Sequence, residues 1–424
     1  MRRLVAVSIA AALGSCIFAL FCGEQSAAGQ VEPRVAADKE LLARIEALPD
    51  NTWLRLGPVR TAGDLAWCGK PDWPNTENLA KFGPGGRDYC VKMAWAPERR
   101  RALFCGANHQ TPHFINDVWE YDLAANTWIC LYAPDPQYPA KLGETAAYKG
   151  DLVQTRRGGP LRPCHTWWGL CYDAKRGRLL WLDPHQGLIF TDAKRIAEAL
   201  HIPEAEAKGT QGGPKDKKVR GSIIWEFDPA AAKWTGVQVD LPDRCEASCL
   251  EYLPDLQTLW LKGYGKTFLY EPDQRAWKPL TNVANVGYAM VSAYDPGTRT
   301  LVIVSPSKTY AYAFAGQEWK TVQENPPIGG RESSSLFDYD SAAACFVLYT
   351  QLKPGGLWLY DLAKNEWLDP KPRGDVPPLQ TGHMTGYYDP ARRVTVLYDG
   401  REVWVYRGKQ AGPASRPVGL KTGG

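Results

Sequence analysis

Three arginines, Arg87, Arg244 and Arg331, each stand eight residues ahead of an aromatic side chain, namely Trp95, Tyr252 and Tyr339, and Arg162 stands ten ahead of Tyr172. A guanidinium is a planar fork that can grip a carboxylate or phosphate with two parallel hydrogen bonds, so an arc of them would suit an anionic ligand. The same fork also makes arginine a clamp that pins loops. Asp88, Glu246 and Glu332 lie within two residues of these arginines, where they either neutralise them or move a proton. The histidines offer a third chemistry, since imidazole ligates zinc and copper but also serves as an ordinary hydrogen-bonding group. His109 and His113 are four apart, yet Pro112 lies between them, and without a shared helical face that spacing makes no metal site. No nucleophile elbow and no phosphate loop occurs. The candidate ligand-binding residues are therefore Arg87, Arg162, Arg244, Arg331, Glu246, Glu332, His109, His165 and His383, with no catalytic residue, metal or cofactor assigned.

The elements that would position these residues follow from a repeat. An aromatic residue is followed seven positions later by Trp in five places: Tyr121 and Trp128, Phe227 and Trp234, Tyr270 and Trp277, Tyr312 and Trp319, Tyr360 and Trp367. The residues between are polar and of constant length, as in a hairpin joining two strands. Upstream of each pair lies a marker aromatic (Trp95, Tyr172, Tyr252, Tyr294, Tyr339), then a turn that begins with Asp-Pro or a variant of it, then an apolar strand. Each unit thus supplies four strands. A sixth unit starts at Tyr388 and reaches Tyr406 without a Trp seven residues on; Asn51-Thr52-Trp53, which repeats Asn126-Thr127-Trp128, provides the missing strand. Six four-stranded units closed by an N-terminal strand leave no unpaired edge at the seam, which predicts an all-β, six-bladed β-propeller over residues 51–407. Leu41, Leu42, Ile45 and Leu48 recur at helical spacing in the preceding segment, 30–50, and predict a short helix. The Gly-, Lys- and Pro-rich tail, 408–424, is expected to be disordered.

Sorting connections by face places the short turns on one side of the propeller. The other side carries residues 58–87, the loop from Ala107, residues 134–163 and an insertion over 184–221 with a helix expected at Ala193–Leu200. Long loops on a rigid scaffold are where binding usually sits. The candidate arginines and five histidines, including His185, map to that long-loop face.

Composition agrees with short strands and tight turns: 17 Trp, 20 Tyr, 40 Gly and 33 Pro in 424 residues. The net charge of +4 is dispersed, which argues against nucleic acid as a partner and against membrane insertion beyond an N-terminal anchor. Residues 1–29 read as a signal peptide, with Arg2 and Arg3, an apolar run from Leu4 to Cys22, and small residues at Ser26 to Gly29. Export to the periplasm or the extracellular space is expected, and an uncleaved leader or an acylated Cys16 would anchor the chain. Two of the 11 cysteines lie in the leader, which leaves nine and at least one thiol without an intramolecular partner. Cys245 and Cys249 cannot bridge each other on a strand, because four residues span about 13 Å and a disulfide needs Cα atoms within about 7 Å.

The aromatic-Asp turn, the hairpin with its Trp and the N-terminal closing strand resemble the kelch-repeat superfamily, which includes the central domain of galactose oxidase. The glycine doublet of typical kelch blades is reduced here to Gly106, Gly263 and Gly400. The resemblance implies a propeller, and an arginine-lined mouth of the kind that binds acidic peptides in some members. A copper-radical oxidase would need ligands from a domain after the propeller, and only the tail follows. The expectation is thus a binding module for an anionic small molecule, glycan or acidic peptide. The alternatives are a sugar-acting enzyme similar to the kelch mutarotase of sialic acid, in which Glu246 or Glu332 moves the proton, and a structural component of a cell-envelope complex.

Overall fold

The computed structural model describes residues 35–410 apart from 74, 88, 108–114, 136–145, 150–151, 156, 161–162, 184–202, 205–222, 239–240, 244, 246–247, 264–265, 272–273, 275, 281–289, 328–334, 352–354 and 380–383. Its strands form six antiparallel blades about one axis. From the axis outward, blade 1 is Ala94–Ala96, Arg101–Phe104, Val118–Asp122 and Thr127–Tyr132. Blade 2 is Leu170–Asp173, Arg178–Asp183, Ile223–Asp228 and Lys233–Gln238; blade 3 is Cys249–Leu253, Thr258–Lys262, Thr267–Glu271 and Ala276–Pro279. Blade 4 is Val291–Asp295, Thr300–Val304, Lys308–Ala313 and Glu318–Glu324, and blade 5 is Ser335–Asp340, Cys345–Thr350, Gly356–Asp361 and Glu366–Leu368. Blade 6 is Thr385–Asp389, Val394–Tyr398 and Glu402–Arg407, with Thr52–Pro58 as its fourth strand.

The aromatic and its Trp seven residues on face each other across the outer hairpin, as in Tyr121 with Trp128 and Tyr360 with Trp367. Their ring centroids are 5.1 and 5.0 Å apart. Such cross-strand aromatic pairs contribute about 0.5–1.5 kcal/mol each beyond the area they bury. The turn between them needs a residue in the left-handed region, which Asn tolerates: Asn126 has φ 45° and Asn365 φ 56°. Each Asn side chain then accepts from the hairpin tyrosine, Tyr121 Oη to Asn126 Oδ1 and Tyr360 Oη to Asn365 Oδ1, both at 2.7 Å.

Blade 6 assembles the same unit from two ends of the chain. Trp53 pairs with Tyr406 across the sheet with centroids 5.1 Å apart, and Tyr406 Oη donates to Asn51 Oδ1 at 2.9 Å. The closure reproduces the covalent hairpin contact for contact. Two blades gain a short parallel fifth strand on the outside, Arg60–Gly63 on blade 1 and Arg373–Gly374 on blade 6. A chain segment expected on the long-loop face therefore begins by covering a blade edge, which would otherwise present unpaired backbone groups.

The helix spans Lys39–Glu46, with Asp38 as its N-cap accepting from the Leu41 N–H at 3.0 Å. Leu41 and Ile45 are buried against blades 1 and 6, Leu48 follows them inward, and Leu42 is only half-buried. All nine cysteines among the described residues are thiols. The helix expected at Ala193–Leu200 and the tail beyond residue 410 lie outside the described residues.

Candidate functional site

The six marker aromatics, Trp95, Tyr172, Tyr252, Tyr294, Tyr339 and Tyr388, come one from each blade and line a single cavity of about 300 Å³ on the axis. Its rim is made by the first turn residues after them, among them Pro97, Ala174, Pro254 and Pro390, so the mouth opens on the face of the short turns. Five residues beyond each marker the turn reaches positive φ: Arg100, Gly177, Gln257, Arg299, Ala344 and Arg393. The Asp that follows four of the markers folds back onto its own turn, as Asp295 Oδ1 accepts from Gly297 N at 2.8 Å and Asp389 Oδ1 from Arg392 N at 3.0 Å. That is why the Asp belongs to the motif: it builds the turn.

The tyrosine hydroxyls leave the axis and reach the turn of the preceding blade. Tyr172 donates to Glu98, and Tyr294 donates to Asp255 at 2.8 Å. Tyr339 bonds Asp295, while Tyr252 bonds the backbone at Lys175. Tyr388 accepts from the Ala342 N–H at 3.2 Å. Trp95 has no hydroxyl and instead stacks on Tyr387 of blade 6, with rings 13° from parallel at 5.8 Å. The markers thus staple each blade to the one before it and leave ring surface toward the cavity.

Beneath this aromatic collar lies a layer of charge. Lys92 Nζ of blade 1 contacts Glu251 Oε2 of blade 3 at 2.6 Å and donates to the Leu250 carbonyl at 3.2 Å. Glu251 Oε1 accepts from Ser292 Oγ at 2.5 Å and from Trp168 Nε1 at 3.1 Å. Burial raises the Glu251 carboxyl above its ordinary range, and Lys92 opposes that rise. Asp338 of blade 5 accepts from the backbone N–H groups of Tyr339 and Tyr388, both at 2.8 Å, and keeps part of its surface on the cavity. Its carboxyl is pushed up to about 6, chiefly by burial, with the two N–H bonds and Lys92 pulling the other way.

Trp168 packs against this charged layer from outside the cavity lining. It is buried, donates also to the Ser292 carbonyl at 2.5 Å, and holds its ring 5.4 Å from Lys92 Nζ. Its strand pairs with the start of blade 3 through the Leu250 N–H and Trp168 carbonyl at 3.1 Å.

Of the residues singled out from sequence, Arg87 and His165 are described. Arg87 is fully buried. It forms a two-pronged ion pair with Asp117, Nη1 to Oδ1 at 3.0 Å and Nη2 to Oδ2 at 2.6 Å, and it also donates to the carbonyls of Pro84 and Gly106. Trp119 Nε1 donates to the same Asp117 carboxylate at 2.6 Å. This is the clamp geometry, with the guanidinium directed into blade 1. His165 is likewise buried, with Nδ1 at 3.0 Å from the Ala107 carbonyl and the ring packed between Tyr89 and Trp167. The structure does not bring Arg87 or His165 to the cavity lining. Arg162, Arg244, Arg331, Glu246, Glu332, His109 and His383 lie outside the described residues, as do Asp88, His113 and His185.

Lys92, Glu251 and Asp338 were missed by sequence reasoning, which looked upstream of the markers. Stacking the six units would have exposed two of them. The position just before the marker is Ala94, Cys171, Ala293 and Tyr387 in four blades and a carboxylate, Glu251 or Asp338, in the other two. Comparison with protein-family models and with the curated proteins finds no match for the chain. The six-bladed propeller, a scaffold suited to binding, is what the structure establishes.

Proposed function

We propose that the protein is an exported propeller of kelch type that binds a small polar ligand in its axial cavity. The observation that carries this reading is the cavity itself. It is lined by all six blades, walled by aromatic rings, and set with a few converging charged groups, the usual make-up of a small-molecule site. Export rests on the leader, and the kelch relationship on the repeat and its closure. The test is a thermal-shift screen of small amines, polyols and acids on the full chain. Ala174 is exposed on the rim, so Ala174→Trp should block the mouth and abolish every shift, whereas Arg244→Ala and Arg331→Ala should leave them intact. The opposite pattern would move the site to the long-loop face, where the arginines suit an anionic glycan or acidic peptide.

One observation favours a second reading, a sugar-acting enzyme. Two carboxyls with raised proton affinity, Glu251 and Asp338, face one cavity beside Lys92, and groups tuned toward neutrality are suited to proton transfer. It predicts turnover that is lost in Glu251→Gln while binding persists.

A further inference from the structure

We propose that the axial cavity selects an organic cation, a primary amine or a quaternary ammonium, with Asp338 as its counter-ion inside the aromatic collar. This rests on the reading of the cavity as a ligand site and adds the ligand's chemical class. Two independent tallies lead to it.

The first is charge. Among the described residues, the charged side chains that line the cavity are Lys92, Glu251 and Asp338. Lys92 and Glu251 neutralise each other at 2.6 Å, which leaves the Asp338 carboxylate uncompensated and partly open to the cavity.

The second is hydrogen bonding. Lys92 directs N–H groups to Glu251 and to the Leu250 carbonyl, Ser292 Oγ donates to Glu251, and the collar hydroxyls of Tyr172 and Tyr294 donate outward to Glu98 and Asp255. A sugar acid or phosphate entering the cavity would find these donors engaged apart from one N–H of the Lys92 ammonium. Each Asp338 oxygen accepts one backbone N–H and retains a lone pair, so the lining offers acceptors to a ligand that brings donors or positive charge. Tyrosine and tryptophan rings add attraction for a cation through the negative face of the ring.

Isothermal titration of the full chain with choline, methyl glucoside and gluconate tests this. Choline should bind at pH 7.5 at least tenfold more tightly than either of the others. The groups that face Asp338 are Lys92 of blade 1, Glu251 of blade 3 and the Tyr388 N–H of blade 6. With Asp338 titrating near 6, its protonation alone should weaken choline about tenfold between pH 7.5 and 5. Asp338→Asn should remove both the affinity and its pH dependence, and because the pH arm uses the unmodified protein, a poorly folded variant would not spare the proposal. Gluconate or methyl glucoside binding as tightly as choline, in a manner blocked by Ala174→Trp, would overturn the cation assignment and leave the cavity as the site. Choline binding that Ala174→Trp does not affect would overturn both.

Discussion

The two ends of the propeller axis treat their charged groups in opposite ways. Toward the long-loop face, Arg87 is sealed in blade 1, with both prongs on Asp117 and a further donor, Trp119, on the same carboxylate. Toward the short-turn face, Asp338 has only two backbone N–H partners and a surface open to a cavity. At the elaborated end Arg87 serves structure, while the regular end, built from six copies of one turn, leaves the Asp338 carboxyl partly open to a cavity. A repeated aromatic can create a pocket as a by-product of stapling blades together.

Four perturbations would sharpen or break that contrast. Arg87→Ala should cost the most, about 3–5 kcal/mol, because it strands a buried Asp117 without its cation; urea unfolding should show a lower midpoint with an unchanged slope. A loss below 1 kcal/mol would mean that the guanidinium is not a structural clamp. Trp168→Ala should follow, at about 3–4 kcal/mol, since it removes a fully buried indole and one of the donors to Glu251. It should also loosen Glu251 in the cavity wall, so that a ligand is held less tightly even at temperatures well below unfolding.

Asp338→Asn is expected to act in the other direction. The folded-state pKa is raised, from an ordinary value of 3.8 to about 6, so the favourable contribution of this group is complete below pH 3.8 and is lost as pH rises through 6. At pH 7.5 the ionised carboxyl therefore destabilises the fold, and its replacement should recover about 1 kcal/mol net, because the amide has one acceptor oxygen and leaves the Tyr339 or the Tyr388 N–H unpaired. Stability measured from pH 4 to 8 should lose one step near 6 in the variant; a step that persists belongs to another group. An effect of similar size and opposite sign should come from Tyr294→Phe, which deletes one inter-blade hydrogen bond to Asp255 and should lower stability by about 1 kcal/mol in the same assay.

Most of the scaffold was legible because its signals are local and repeated. The Trp seven residues after an aromatic and the turn after the marker each serve a contact within one blade or with the next, so spacing alone revealed them. Trp53 and Tyr406 were predictable as partners only because the N-terminal segment copies Asn126-Thr127-Trp128. The cavity was harder to see. Lys92, Glu251 and Ser292 meet from blades 1, 3 and 4, and nothing in their spacing links residues that converge only when the ring closes. Arg87 was visible as a residue, but whether a guanidinium faces a ligand or an internal carboxylate depends on Asp117, 30 positions away.

Diffraction from crystals soaked in an arsonium analogue of choline would test the axial site most directly, because arsenic scatters anomalously. The predicted result is one strong anomalous peak on the axis, between the Asp338 carboxylate and the tyrosine collar, that disappears in Asp338→Asn. A peak confined to the long-loop face, with the axial cavity holding only water, would contradict it.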